Sequence, residues 1–215
     1  MWGLPSSDIV LYALTLVALA AQAMTAALAA GRRSMDWAGV CMLGCITALG
    51  GGTIRDVLLG NYPLVWVRHP SFLLLTAGAA LATVLMARLV HRLTTGFLVL
   101  DAIGLVVFTM AGCDVARQID PSSSLIIVVV AGMITGCAGG VLRDILCNDV
   151  PLLFRAELYA SVSILTGLFY AVGAGLNLNP ELWTALTFVL GLSFRLLAIR
   201  YKWEMPKFVF DETRR

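Results

Sequence analysis

The residues of this chain whose types and spacing could do chemistry fall in two short stretches. In "GGGTIRDVLLG" Gly50, Gly51 and Gly52 precede Arg55 and Asp56, and in "AGGVLRDIL" Gly139 and Gly140 precede Arg143 and Asp144. Each lies inside a long apolar run, where glycine costs about 1 kcal/mol against alanine in a helix and a charge at bilayer depth costs about 2.5–3.5 kcal/mol. A use must offset those costs. Glycines that interrupt a helix free carbonyls on one half and N–H groups on the other, and such groups persist at membrane depth only inside protein or along a wet cavity. Freed carbonyls suit a cation such as potassium, freed N–H groups an anion or carboxylate, so the same break serves a cation or a zwitterion. Thr47 and Thr135 stand four residues before Gly51 and Gly139, on the same helix face. They read either as hydroxyls facing a pore or as groups bonded back to a carbonyl one turn earlier.

The elements that must position these residues are membrane helices. The 215-residue chain is 60% apolar and 13% charged, against roughly 25% charged in a soluble domain. No basic region precedes the first apolar run, which is too long for a signal peptide and reads as a retained span. Seven apolar segments can be drawn, over residues 9–30, 37–59, 72–90, 97–115, 125–147, 158–176 and 182–199. The expected fold is an all-α integral membrane protein of seven transmembrane helices, with no soluble domain left over. With the C-terminus inside, ten of the Lys and Arg residues fall in inner loops or the tail, and only Arg68 and Arg117 fall in outer loops. That bias puts the C-terminus in the cytoplasm and the N-terminus outside, in the cell's inner membrane. A net charge of +2 spread over segment ends gives no reason to expect nucleic acid.

Residues 36–63, "DWAGVCMLGCITALGGGTIRDVLLGNYP", align without a gap on residues 124–151, "SLIIVVVAGMITGCAGGVLRDILCNDVP", at the 88-residue offset that separates Arg55 from Arg143. The shared residues include Gly44, Thr47, Gly51, Gly52, Arg55, Asp56 and Pro63, and point to internal duplication. Three spans per copy make the copies cross in opposite directions: an inverted repeat of two three-helix units plus a seventh helix. The single membrane domain, 1–215, then divides into a first repeat over about 8–92, a second over about 96–177, and the seventh helix with a cytoplasmic tail over 181–215. The substrate path of such folds lies near the midplane, at interrupted helices of the repeat interface. Arg55–Asp56 and Arg143–Asp144 are expected to bracket that constriction. Since neighbours along a helix do not face each other, each Arg is expected to find its partner on another span or a freed carbonyl. Gly44, Ala48 and Gly52, like Gly132, Gly136 and Gly140, recur every fourth residue and favour close helix packing.

Asp101 is an isolated acid in "GFLVLDAIG", read either as a cation attractor or gate partner for an Arg, or as a capping acid near a helix start. Gln22 reads as an interhelical hydrogen bond more readily than as a path residue. Arg195 is expected to snorkel to the inner interface, and the tail "YKWEMPKFVFDETRR" to anchor there. The five cysteines show no metal-ligand spacing and read as small apolar residues, while His69 and His91 stand alone in loops. No nucleotide, zinc or nucleophile motif is found, so no enzyme, resident metal or cofactor is expected.

The doubled Gly-Gly-x-x-Arg-Asp motif, with "ALAAGRRSMDWAGV", "DAIGLVVFTMAG", "ITGCAGGVLRDILCNDVPLLFR" and "ELYA", resembles the bacterial homologues of the trimeric intracellular cation channels, also described as glycine transporters. The resemblance covers nearly all of the membrane portion and is weakest over residues 1–8 and the tail. It implies a homotrimer in the lipid bilayer whose every protomer carries a potassium-permeable pore bent at Gly50, Gly51, Gly52, Gly139 and Gly140, with the Arg-Asp pairs on Arg55, Asp56, Arg143 and Asp144. The second copy departs by Ala138 where the first has Gly50, which puts symmetric gating in doubt. The basic lipid-binding motif of the animal branch is not found. The residues themselves admit a monovalent-cation channel or a small-zwitterion carrier; the neutral Arg-Asp pairs lean to the carrier and the resemblance to the channel. A passive scaffold leaves the charges beside both glycine runs without a reason.

Overall fold

The computed structural model describes residues 9–86, 93–155, 158–173 and 179–203. Among them every regular element is a helix: α1 (Ile9–Arg32), α2 (Trp37–Leu58), α3 (Val65–Arg68), α4 (Ser71–Met86), α5 (Leu93–Ile119), α6 (Leu125–Leu146), α7 (Leu152–Arg155), α8 (Tyr159–Gly173) and α9 (Pro180–Tyr201). Five of them, α1, α2, α5, α6 and α9, are long and apolar enough to cross a membrane; α4 and α8 are shorter apolar helices. The expected third and sixth spans run on through residues 87–90 and 174–176, outside the described residues, as do His91 and all but the first three residues of the tail.

Helix boundaries repeat with the sequence. Asp36 accepts from the Gly39 N–H at 2.7 Å to start α2, and Ser124, 88 residues on, accepts from Ile127 N–H at 3.4 Å to start α6. Both helices end on a left-handed residue, Gly60 at φ 67° and Asn148 at φ 54°, the residue types that tolerate this conformation best. Behind each, Asn61 N–H and Asp149 N–H return to the carbonyls of Asp56 and Asp144 at 2.8 Å. A one-turn helix follows each stop, α3 and α7.

Packing is inverted relative to a water-soluble protein. Leu74, Phe154, Ile126 and Leu182 are more than 70% exposed, whereas six ionisable side chains, Arg55, Asp56, Asp101, Arg143, Asp144 and Arg195, are buried. An outward apolar surface is the expected solution in hydrocarbon, and ionisable groups within it face the bundle interior. Helices α1, α2, α5 and α6 pack on one another at the centre, with α4 on α1 and α2, α8 on α5 and α6, and α9 on α8, α5 and α1. Two apolar cores result, one gathered on α1, α2 and α4 and the other on α5, α6 and α8. Helix α1 buries six alanines at 4% exposure or less (Ala18, Ala21, Ala23, Ala26, Ala27 and Ala30), so its neighbours approach closely.

Candidate functional site: the crossing of α2 and α6

The expected helix interruptions are corrected: α2 is one α-helix through Gly50, Gly51 and Gly52, and α6 one through Gly139 and Gly140. No carbonyl is freed by a break there. The physical reason appears in what a side chain would meet. A Cβ at Gly51 would lie 2.2 Å from the Thr135 carbonyl oxygen, and one at Gly139 would lie 2.2 Å from the Thr47 carbonyl oxygen. The contact is reciprocal, each glycine seating against the backbone one turn before the other. These glycines exist for the crossing. Gly44, Gly132 and Gly136 serve packing in the same way, against Ala80 on α4 and against Thr109, Cys113 and Leu105 on α5. Gly50 faces only the flexible tip of Leu142, and Ala138, its counterpart, leaves α6 equally unbroken.

The second glycine of each motif has a different task. Nearest to a Cβ at Gly52 is Arg55 Nη2 at 3.7 Å, and a Cβ at Gly140 would meet Tyr159 Oη at 3.3 Å, Arg143 Nη2 at 3.6 Å and Asp101 Oδ1 at 3.7 Å. Helical side chains lean toward the N-terminus, so an Arg three residues on lies over the glycine. The spacing Gly-x-x-Arg thus makes room for a guanidinium against its own helix.

Arg55 and Arg143 then differ. Arg55 donates to Asp56 Oδ1 from Nε at 3.0 Å and Nη2 at 2.7 Å, and Asn61 Nδ2 donates to the same oxygen at 3.0 Å. The expectation of a partner on another span is corrected for Arg55: its long side chain wraps round the last turn to the adjacent carboxylate. Arg143 does both. It donates from Nε to Asp144 Oδ1 at 2.9 Å, and from Nη1 to Asp101 Oδ1 at 2.8 Å on α5 and Thr25 Oγ1 at 2.9 Å on α1. Its Cζ lies 4.6 Å from the Phe97 ring centroid. Asp144 Oδ2 accepts the Leu152 N–H at 2.9 Å, fixing the start of α7. Asp101 thus pairs with Arg143 of α6, and Gln22 makes its interhelical bond, to the Asp101 carbonyl at 3.4 Å.

The surroundings differ as well. Arg55 lines a cavity of about 100 Å³ with Gly52 and Thr53 of α2, Tyr12 and Thr15 of α1, Asp114 and Gln118 of α5 and Thr135 of α6. Arg143 is wholly buried. Asp101 and Asp114 are thirteen residues apart on α5, about 20 Å of rise, so the two arginines stand at opposite levels of that helix. Of the two threonines, Thr135 bonds back to the Ala131 carbonyl at 2.7 Å, whereas the Thr47 hydroxyl is buried without a hydrogen-bond partner. Arg195 corrects another expectation: it does not snorkel but is buried, its Cζ 4.8 Å from the Tyr159 ring centroid. Sequence reasoning missed Thr25, Phe97, Asp114 and Tyr159; none lies near either motif in the chain, and only the acid of Asp114, in an apolar run, gave a signal.

Together these features define an all-helical integral membrane protein organised around two buried Arg-Asp sites at one glycine crossing. A family model described as "Glycine transporter" matches the chain twice, over residues 12–88 and 98–174. The chain is 38% identical over 95% of its length to an Escherichia coli (strain K12) inner membrane protein, YadS, of which the match covers 99%. It is 31% identical to the TRIC trimeric intracellular cation channel orthologue from Rhodobacter sphaeroides, over 91% of this chain and 100% of that one, with a TM-score of 0.86. A chain solved in work on conductance through TRIC cation channels is 33% identical over 94% of this chain and 98% of its own, with a TM-score of 0.84. The protein belongs to the TRIC family.

Proposed function

We propose that this protein is a monovalent-cation channel that conducts potassium, one pore per protomer of a homotrimer. The observation that carries the reading is the likeness, at 31–33% identity over more than 90% of the chain, to TRIC channels, joined to a cavity, largely apolar but bordered by Arg55, Asp114 and Gln118, that reaches Thr135 at the α2–α6 crossing. The path runs from the cavity at Gly52, Arg55 and Asp56, past Thr47, Gly50, Gly51, Thr135 and Gly139 at the crossing, to Gly140, Arg143, Asp144 and Asp101. Asp114 at the cavity wall attracts the cation. With Arg143 sealed by Asp101, Thr25 and Phe97, the arrangement is a shut one, and conduction requires that seal to part.

The path lies in one membrane domain with seven spans, an inverted repeat over about 8–92 and 96–177, and a seventh helix leading to a cytoplasmic tail; the N-terminus is outside and the membrane is the inner one. Support comes from the double family match, the reciprocal glycine contact, the opposite levels of the two arginines and the inner-membrane relative. Nothing in this reading requires catalysis. A second reading, uptake of glycine or another small zwitterion, is favoured by the family description and by a buried Arg beside a buried Asp. Liposome flux separates the two. Rubidium flux, as a potassium surrogate, that does not saturate and ignores glycine supports the channel; saturable uptake of labelled glycine without rubidium flux supports the carrier.

A further inference from the structure

The guanidinium of Arg143 sits in a cage built of oxygen atoms and one aromatic face. Asp101 Oδ1, Thr25 Oγ1 and Asp144 Oδ1 accept from it at 2.8, 2.9 and 2.9 Å, and the Phe97 ring stacks at 4.6 Å. Two further oxygens, Asp101 Oδ2 and Tyr159 Oη, are buried at the same place with no hydrogen-bond partner. Tyr159 Oη and Asp101 Oδ1 both lie within 4 Å of the vacant Cβ position of Gly140, next to Arg143 Nη2. Carboxylates, hydroxyls and a ring face are what a weakly hydrated monovalent cation is bound by, and buried polar groups rarely stay unpaired without reason. The formal charges of the cluster also balance: Asp101 and Asp144 both bond Arg143, and Arg195 of α9 lies over the ring of Tyr159, whose hydroxyl stands with Asp101 at Gly140. Without Arg143 the cluster holds one surplus negative charge, buried.

We propose that this cage is a monovalent-cation site occupied by the protein's own side chain, so that Arg143 acts as a tethered ligand competing with a free cation. Withdrawal of the guanidinium leaves a site for one cation per protomer, guanidinium itself or potassium. Among the described residues the first half of the molecule shows no equivalent cage: Arg55 bonds Asp56, and nothing but its own Nη2 approaches Gly52. The inference rests on the channel reading for its consequence, since a tethered cation in the path is a plug, but cation binding to the cage stands apart from conduction.

The test is thermal unfolding of the purified full-length protein with millimolar guanidinium, well below denaturing concentrations. Arg143→Ala is expected to gain several degrees in midpoint, half of it at low millimolar guanidinium, because a ligand bound only to the native state stabilises it. Tetramethylammonium, too large for the cage, leaves it unmoved, as guanidinium leaves the native protein, Arg55→Ala and Asp101→Asn/Arg143→Ala. An Arg143→Ala midpoint that guanidinium does not raise, or a native midpoint raised equally, overturns the proposal. If Arg143→Ala does not accumulate in membranes, Arg143→Gln, whose amide keeps a donor for Asp101, carries the same test. Asp101→Asn alone reads the cage by a second route: the potassium activity giving half-maximal current rises at least threefold, and an unchanged value overturns the site. If the native protein passes no cation current, the channel reading fails and the guanidinium shift still decides the cage.

Discussion

At the scale of single residues, the two glycines of each motif do different work that their shared identity conceals. Gly51 and Gly139 touch backbone at 2.2 Å from where a Cβ would be, whereas Gly78 on α4 has nothing within 4 Å of that point. Gly51→Ala or Gly139→Ala must therefore force α2 from α6, and the expected loss is about 1–3 kcal/mol, the usual cost of overpacking. Gly78→Ala is expected to be neutral or to gain up to about 1 kcal/mol through helix propensity. Reversible unfolding in mixed micelles measures both; equal effects at the two positions would refute the crossing as the reason for the glycines. The sequence shows which residues are doubled, but a glycine that opens a helix and one that lets two helices touch read alike. Only the facing carbonyl, supplied by a segment 88 residues away, tells them apart. The same holds for Arg55 and Arg143, alike in sequence and unlike in partners, because Thr25, Asp101 and Phe97 come from helices that carry no motif.

At the scale of elements, the second and fifth spans expected over 37–59 and 125–147 agree within a residue with α2 and α6, whereas the fourth, expected over 97–115, is longer at both ends. Asp36 and Ser124 as starts, and Gly60 and Asn148 as stops, are signals carried by a few adjacent residues, so local chemistry suffices to place them. Asn148, at φ 54°, permits a sharp prediction. Asn148→Gly is expected to be neutral within about 0.5 kcal/mol, and Asn148→Val to destabilise by about 1–2 kcal/mol, since a β-branched residue is strained in this conformation. Amide exchange at the end of α6 checks it: faster exchange from Ile145 to Asp149 in the Val variant is expected, and unchanged exchange would contradict it. The one-turn helices α3 and α7 were not legible, because four residues give too short a period to detect. Arg195 was misread for a related reason: its place near a span's end invited snorkelling, and nothing in its own segment announced Tyr159 on α8.

At the scale of the whole molecule, the same duplicated unit has settled into two different environments. One arginine borders a cavity and the other is sealed by groups from α1, α5 and α6, while α9, outside the duplication, adds Arg195 to the sealed half. In the channel proposed from the likeness to TRIC cation channels, this asymmetry leaves a cavity at one end of the path and a closed cluster at the other. The membrane class and the all-helical fold were legible from composition and from the long apolar runs. The asymmetry was not, since a duplicated motif predicts two equal sites and the residues that break the equality are single and dispersed. The central claim is that the chain passes potassium, and a planar bilayer containing the purified protein under a potassium chloride gradient tests it most directly. The account predicts discrete unitary currents that reverse near the potassium equilibrium potential; a silent bilayer, with the same preparation accumulating labelled glycine in liposomes, would contradict it.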